Sequence, residues 1–128
     1  MAHDLLPLQG MRILIVEDSY LVAEDLAETV TELGCAVVGP AGTLADGLRQ
    51  ASEAALDGAL LDVNLSNDET SFPIAELLVE REVPFVFLSG YDLESAFPPQ
   101  FKTVERLAKP VDARRLARAM AAVFSGRS

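Results

Sequence analysis

Five short apolar runs, separated by stretches of helical periodicity, are the feature that most narrows what this chain can fold into. Arg12–Val16 is a β-branched run that stops abruptly at two acids, the pattern of a strand covered on both faces. Similar runs lie at 36–39, at Gly58–Asp62, at 84–89 and, more weakly, at 103–108. After the first run Ser19 is placed to cap a helix, Val22, Leu26, Val30 and Leu33 recur at helical spacing, and Gly34 supplies a stop. Residues 43–55 carry Leu44, Leu48 and Ala51 on one side, and 72–82 carry Ile74, Leu77 and Leu78 with Pro73 in the first turn. Residues 112–124 repeat Leu116, Met120 and Phe124 at steps of four, with Ala119 and Val123 alongside. Alternation of this kind predicts an α/β fold with a parallel sheet and helices on both faces. Between 90 and 100 a helix begun at Asp92 must end at Pro98-Pro99, which leaves room for a short or irregular one.

With 128 residues, half of them hydrophobic, the chain suits one compact domain. The predicted organisation is an N-terminal extension over residues 1–10 and one domain over 11–125, with no output domain attached. No apolar run reaches the roughly 20 residues of a membrane span, and Met1-Ala2-His3-Asp4 is no secretory start, so the expected location is the cytoplasm, away from membranes. The single cysteine, Cys35, sits in an apolar run and reads as a small core residue. A formal net charge of -10 argues against nucleic acid as a direct partner. The charge is uneven, since Lys102, Arg106, Lys109, Arg114, Arg115, Arg118 and Arg127 face only Glu105 and Asp112 after Phe101. The acidic stripe Glu24, Glu28 and Glu32 reads as solvated helix surface, and the cationic tail as solvated surface or, less simply, as a docking patch for an acidic partner.

In a parallel sheet with covered faces, functional side chains gather at the C-terminal strand tips, because only there does a crevice open. That rule brings together Glu17 and Asp18 after the first strand, Asp62 after the third, Ser89 after the fourth and Lys109-Pro110 after the fifth. Three carboxylates in one pocket repel one another unless they hold protons or a cation. Mg²⁺ suits such a set, since it takes oxygen ligands and keeps several waters. Asp62 is then available as a nucleophile toward phosphorus, Lys109 as a point charge for a phosphoryl oxygen and Ser89 as a hydroxyl donor to the transferred group.

The segments Leu14-Ile15-Val16-Glu17-Asp18, Leu60-Leu61-Asp62-Val63-Asn64-Leu65, Phe87-Leu88-Ser89-Gly90-Tyr91 and Ala108-Lys109-Pro110 together resemble the receiver domains of bacterial response regulators, over nearly the whole chain. The resemblance implies a flavodoxin-like fold with five parallel strands in the order 2-1-3-4-5 and five helices. It implies phosphorylation of Asp62 by a sensor histidine kinase or a histidine phosphotransfer protein. Direct Mg²⁺ ligands would be Asp18, Asp62 and the backbone carbonyl of Asn64, with Glu17 acting through water; Ser89 and Lys109 would sense the phosphoryl group. The output would be phosphorylation-dependent binding of a downstream protein target, or onward relay. More narrowly, residues 84–91 are similar to the run ending Phe-Ala-Thr-Gly-Tyr in single-domain alphaproteobacterial receivers, with Leu88 and Ser89 in place of Ala and Thr. Arg106 stands where the family prefers an aromatic switch residue, which turns attention to Tyr91 as a replacement. After Asp62 the family's usual Pro and Gly give way to Leu65-Ser66-Asn67-Asp68-Glu69-Thr70, a loop expected to be mobile.

Three rival readings follow from the same residues. A small aspartate-dependent phosphohydrolase uses similar groups, but its nucleophile stands in an Asp-x-Asp motif after the first strand, whereas here Asp62 stands in Asp-Val-Asn after the third. A flavodoxin-like cofactor binder would need a Gly-rich phosphate loop that the first strand lacks. A degenerate receiver, binding partners without phosphorylation, would not need the acidic pocket.

Overall fold

The computed structural model describes residues 8–90 and 97–124. Within them five strands, β1 (Arg12–Val16), β2 (Ala36–Ala41), β3 (Gly58–Asp62), β4 (Phe85–Ser89) and β5 (Arg106–Ala108), form one sheet in the order β2-β1-β3-β4-β5. Every neighbouring pair is parallel. The helices are α1 (Tyr20–Glu32), α2 (Leu44–Glu53), α3 (Phe72–Glu80) and α4 (Ala113–Phe124), with a 3-10 turn at Pro99–Phe101. The sheet order and flavodoxin-like architecture agree with the sequence expectation. The short fourth helix expected from Asp92 falls on residues 91–96, outside the described residues.

Side chains along a strand point alternately to opposite faces, and this period of two splits the core. Leu14, Val16, Leu61, Phe85 and Phe87 face α2 and α3, meeting Ala51, Ile74 and Leu78. Ile13, Ile15, Leu60, Val86 and Leu88 face α1 and α4, meeting Leu26, Val30, Leu116, Met120 and Phe124. Both central strands, β3 and β4, are buried throughout, which is why they read as continuous apolar runs. Leu8 is fully buried in the second cluster, and its carbonyl accepts the Cys35 thiol at 3.2 Å. Cys35 is therefore the core residue it was expected to be, and burial pushes its thiol above the ordinary value. Among the described residues no helix is long and apolar enough to cross a membrane.

Helix starts follow local chemistry. Ser19 Oγ accepts the Val22 N–H, Thr43 Oγ1 accepts the Asp46 N–H at 3.1 Å, and Asp112 Oδ1 accepts the Arg114 N–H at 2.7 Å. Thr43 and Asp112 thus lie just outside their helices as caps, which shortens α2 and α4 relative to the runs 43–55 and 112–124. The third helix likewise stops at Glu80 rather than 82, because Glu82 turns into the left-handed region at φ 61. The second strand, conversely, continues two residues past the expected end at Gly39. Leu14 pairs with Val38 and Val16 with Ala41, so β2 carries one extra residue, a bulge, where Gly39 adopts φ 91. The fifth strand loses residues 103–105, as Val104 closes a turn onto the Phe101 carbonyl.

Gly58, the first residue of β3, abuts Phe124. A Cβ at this position would stand 2.8 Å from Cδ2 and Cε2 of that buried ring. Gly58→Ala is expected to destabilise by about 1–3 kcal/mol through overpacking. Urea unfolding should show a lower midpoint with an unchanged slope; an unchanged midpoint would mean that α4 can shift freely.

Candidate phosphoacceptor site

Three strand ends carry the charged groups into one place. β1 delivers Glu17 and Asp18 directly after its last residue, and β3 ends on Asp62. β5 feeds Lys109, whose backbone N–H donates to the Ser89 carbonyl at 2.8 Å, so the fourth and fifth tips are tied together. One oxygen from each of Glu17, Asp18 and Asp62 lies within 4.8 Å of the others. Lys109 Nζ stands 2.9 Å from Glu17 Oε1 and 3.1 Å from Asp62 Oδ1, pairing with both at once. Glu17 and Asp62 are 2% and 4% exposed, so this ammonium offsets two buried carboxylates. Asp62 is thus sunk beneath the crevice rather than placed at its mouth, whereas Asp18 is exposed.

Burial, reinforced by the neighbouring Glu17 carboxylate, pushes the Asp62 carboxyl up to about 7 against the opposing pull of Lys109. For Lys109 burial works to lower the ammonium, but Glu17 and Asp62 together carry it above its ordinary value. The pocket therefore holds surplus negative charge that one lysine does not neutralise. A set of oxygen donors without His or Cys matches a hard divalent cation. Asn64 follows two residues after Asp62, in the loop that leaves β3. The β3–α3 loop is a small hairpin closed by bonds from Ser71 N–H to the Val63 carbonyl and from Leu65 N–H to the Glu69 carbonyl, and neither uses the carbonyl of Asn64.

That loop folds into a hairpin turn. Asn67 and Asp68 take φ 64 and 59, the left-handed pair of a tight hairpin turn, and Leu65 is buried. Its Ser66 hydroxyl donates to Asp18 Oδ2 at 3.0 Å, linking the first and third strand tips. On the other flank of the crevice the first turn of α1 exposes Tyr20 and Leu21, 73% and 76% accessible, beside a groove of about 930 Å³.

No protein-family model matches the chain. The phyllosphere-induced regulator PhyR of Methylorubrum extorquens is 36% identical over 106 residues, covering 77% of this chain and 38% of that protein. The solution structure of SdrG from Sphingomonas melonis is 37% identical, with a TM-score of 0.77 over 88% of this chain and 95% of that one. A response regulator receiver protein from Sinorhizobium medicae superposes at a TM-score of 0.80 over 94% of this chain and 99% of that one, at 24% identity. The chain belongs to the response regulator receiver domains. It spans about two fifths of the length of the curated relatives it matches, 38% and 45%. The anti-anti-sigma factor PhyR from Bartonella quintana shares the fold, at 21% identity and a TM-score of 0.76 over 94% of this chain and 50% of that one.

Of the residues predicted for this receiver, Glu17, Asp18, Asp62, Asn64, Ser89 and Lys109 lie at neighbouring strand tips in the structure, and Ser89 is 7% exposed. Tyr91, the predicted switch residue, lies outside the described residues. Arg106 is accounted for differently from the aromatic it replaces: its guanidinium carbon lies 4.4 Å from the centroid of the Phe97 ring. A cation over an aromatic face contributes about 0.5–1 kcal/mol where solvent reaches it. The receiver's Phe97 in turn touches Phe72 and Phe87, at centroid distances of 5.5 and 5.3 Å, so Arg106 caps an aromatic cluster. Sequence reasoning did not find the link from Ser66 to Asp18. A serine in a polar loop gives no signal that its hydroxyl will meet a carboxylate 48 residues earlier.

Proposed function

We propose that this receiver accepts a phosphoryl group on Asp62 from a histidine kinase or a histidine phosphotransfer protein, in the cytoplasm, and signals by a change in affinity for a downstream protein. The observation that carries this reading is the convergence of Asp62 with Glu17, Asp18 and Lys109 at the strand tips. In the transfer, a carboxylate oxygen of Asp62 bonds to phosphorus as the phosphorus–nitrogen bond of the donor histidine breaks. The imidazole leaves with the electron pair and takes up a proton from solvent, and Asp62 becomes an acyl phosphate. Asp18, Asp62 and the Asn64 carbonyl would hold Mg²⁺ directly and Glu17 through water. Bound there, the ion supplies charge neutralisation for the phosphoryl oxygens and for the carboxylates.

Lys109 already stands between Glu17 and Asp62, where it can turn to a phosphoryl oxygen once one arrives. Ser89, at the tip of β4, donates its hydroxyl to the transferred group and draws the fourth strand tip inward. Tyr91 follows two residues later in the sequence and is proposed as the second switch residue. Because Asp62 is sunk in the crevice, a donor histidine reaches it only if the donor protein covers the surrounding surface, which includes Tyr20 and Leu21. A protein as the downstream partner is supported by the Bartonella PhyR, an anti-anti-sigma factor.

Intact-mass spectrometry after incubation with acetyl phosphate or phosphoramidate, kept cold and neutral, tests the reading. The protein should gain one phosphoryl group when Mg²⁺ is present and none when it is chelated. Failure to gain the group, combined with no binding of Mg²⁺ by calorimetry, overturns it.

A further inference from the structure

Asp18 differs from the other two carboxylates of the pocket. Glu17 and Asp62 are buried and paired with Lys109, whereas Asp18 is exposed and no cation among the described residues pairs with it. An exposed carboxylate on a rotatable side chain samples several rotamers, and fixing one of them costs entropy at the moment a ligand binds. Here the cost is met in advance by the Ser66 hydroxyl, 3.0 Å from Asp18 Oδ2. Ser66 is itself held by a defined backbone. The buried Leu65 anchors one side of it, the hairpin bonds close the loop, and the left-handed pair Asn67 and Asp68 completes the turn.

We infer that Ser66 is a positioning residue for the cation site, holding the Asp18 carboxylate toward Glu17 and Asp62 and so strengthening Mg²⁺ binding. The inference rests on the metal reading of the proposed function. A carboxylate has two oxygens and about four acceptor positions, so Asp18 can receive the Ser66 hydroxyl and still offer an oxygen to a metal. Groups that orient metal ligands typically contribute 10–100-fold to affinity, and an exposed hydrogen bond belongs at the lower end, about tenfold. The loop that family resemblance marks as divergent thereby supplies a contact of its own to the site.

Calorimetric titration of Mg²⁺ into wild type, Ser66→Ala and Ser66→Thr, together with melting of the metal-free proteins, tests this. Ser66→Ala should bind Mg²⁺ about tenfold more weakly. Ser66→Thr, which keeps the hydroxyl, should stay close to wild type. The metal-free melting temperatures of all three should agree, because the hairpin is closed by backbone bonds that neither substitution removes. Equal Mg²⁺ affinity in wild type and Ser66→Ala overturns the inference, as does a Thr variant as weak as the Ala variant. A loss of metal-free stability in Ser66→Ala matching its loss of affinity would assign Ser66 a structural role instead. If wild type itself binds no Mg²⁺, the metal reading falls first; if wild type binds and Ser66→Ala binds equally, only the positioning role falls.

Discussion

Asp62→Asn is expected to take up no phosphoryl group from any donor and yet to be more stable than wild type when both are free of metal. The first half follows because an amide has no anionic oxygen to bond to phosphorus. The second half follows from the electrostatics of the pocket. In wild type the carboxyl titrates near 7, because burial and Glu17 outweigh the attraction of Lys109. Unfolded, the same group titrates near its ordinary value of 3.8. A carboxyl raised on folding gives stability that is full below the unfolded value and is lost as pH rises through the folded one. Metal-free wild type should therefore weaken between about pH 4 and pH 7 and level off above it, while Asp62→Asn, which has no proton to lose there, should lack that slope.

At pH 8 the variant should lead by about 1–2 kcal/mol, less than the raised value alone would give, because solvent at the open crevice screens the charges and Lys109 loses one partner. Mg²⁺ should reverse the order, since at a concentration one hundred times its dissociation constant a ligand adds about 2.7 kcal/mol to the form that binds it. Thermal melts across pH, with chelator and with Mg²⁺, measure both effects. Equal pH slopes for the two proteins without metal would show that Asp62 does not carry the strain assigned to it.

Lys109→Met should have the opposite sign and a larger size. The methionine keeps most of the side chain's length and apolar contact but removes the ammonium that meets Glu17 Oε1 and Asp62 Oδ1. Stripping the partner from a buried ion pair costs about 3–5 kcal/mol, and the 23% exposure of the lysine side chain places this case near the lower figure. The loss should be greatest above pH 7, where Asp62 has given up its proton, and smaller at pH 5, where Asp62 carries it. In an Asp62→Asn background the same substitution should cost less, since only Glu17 is then left uncompensated. A double-mutant cycle by urea unfolding reads that coupling directly, and strictly additive effects would separate Lys109 from Asp62 energetically. Acyl phosphate formation should also fall steeply in Lys109→Met, because the phosphoryl oxygens lose the cation that stands beside Asp62.

Particular elements show how far the chain could be read before folding. Arg12–Val16 and Gly58–Asp62 end in the structure where the sequence placed them, because each is an apolar run cut off by an acid and local chemistry alone sets that edge. The helix interiors were equally plain, while their ends moved by one or two residues where Thr43 and Asp112 serve as caps instead of first turns. Gly39-Pro40 reads locally as a stop, yet β2 runs through it, since pairing with β1 outweighs the local preference by way of a bulge. Val104 looks like strand and forms a turn, because its N–H goes to the Phe101 carbonyl at the end of the 3-10 segment.

The site divides in the same way. That Glu17, Asp18, Asp62 and Lys109 would meet was legible from the sequence, because strand order and the open ends of a parallel sheet leave few places for them to go. Tertiary structure alone decided that Lys109 bridges Glu17 and Asp62, that Asp62 lies buried, that Ser66 reaches Asp18 and that Arg106 rests on Phe97. The physical reason is one of range. Periodicity, caps and breakers act over a few residues and are written in the order of the chain. A distance of 3 Å between residues 48 apart depends on how the β3–α3 loop folds back beside the tip of β1, which no single segment encodes.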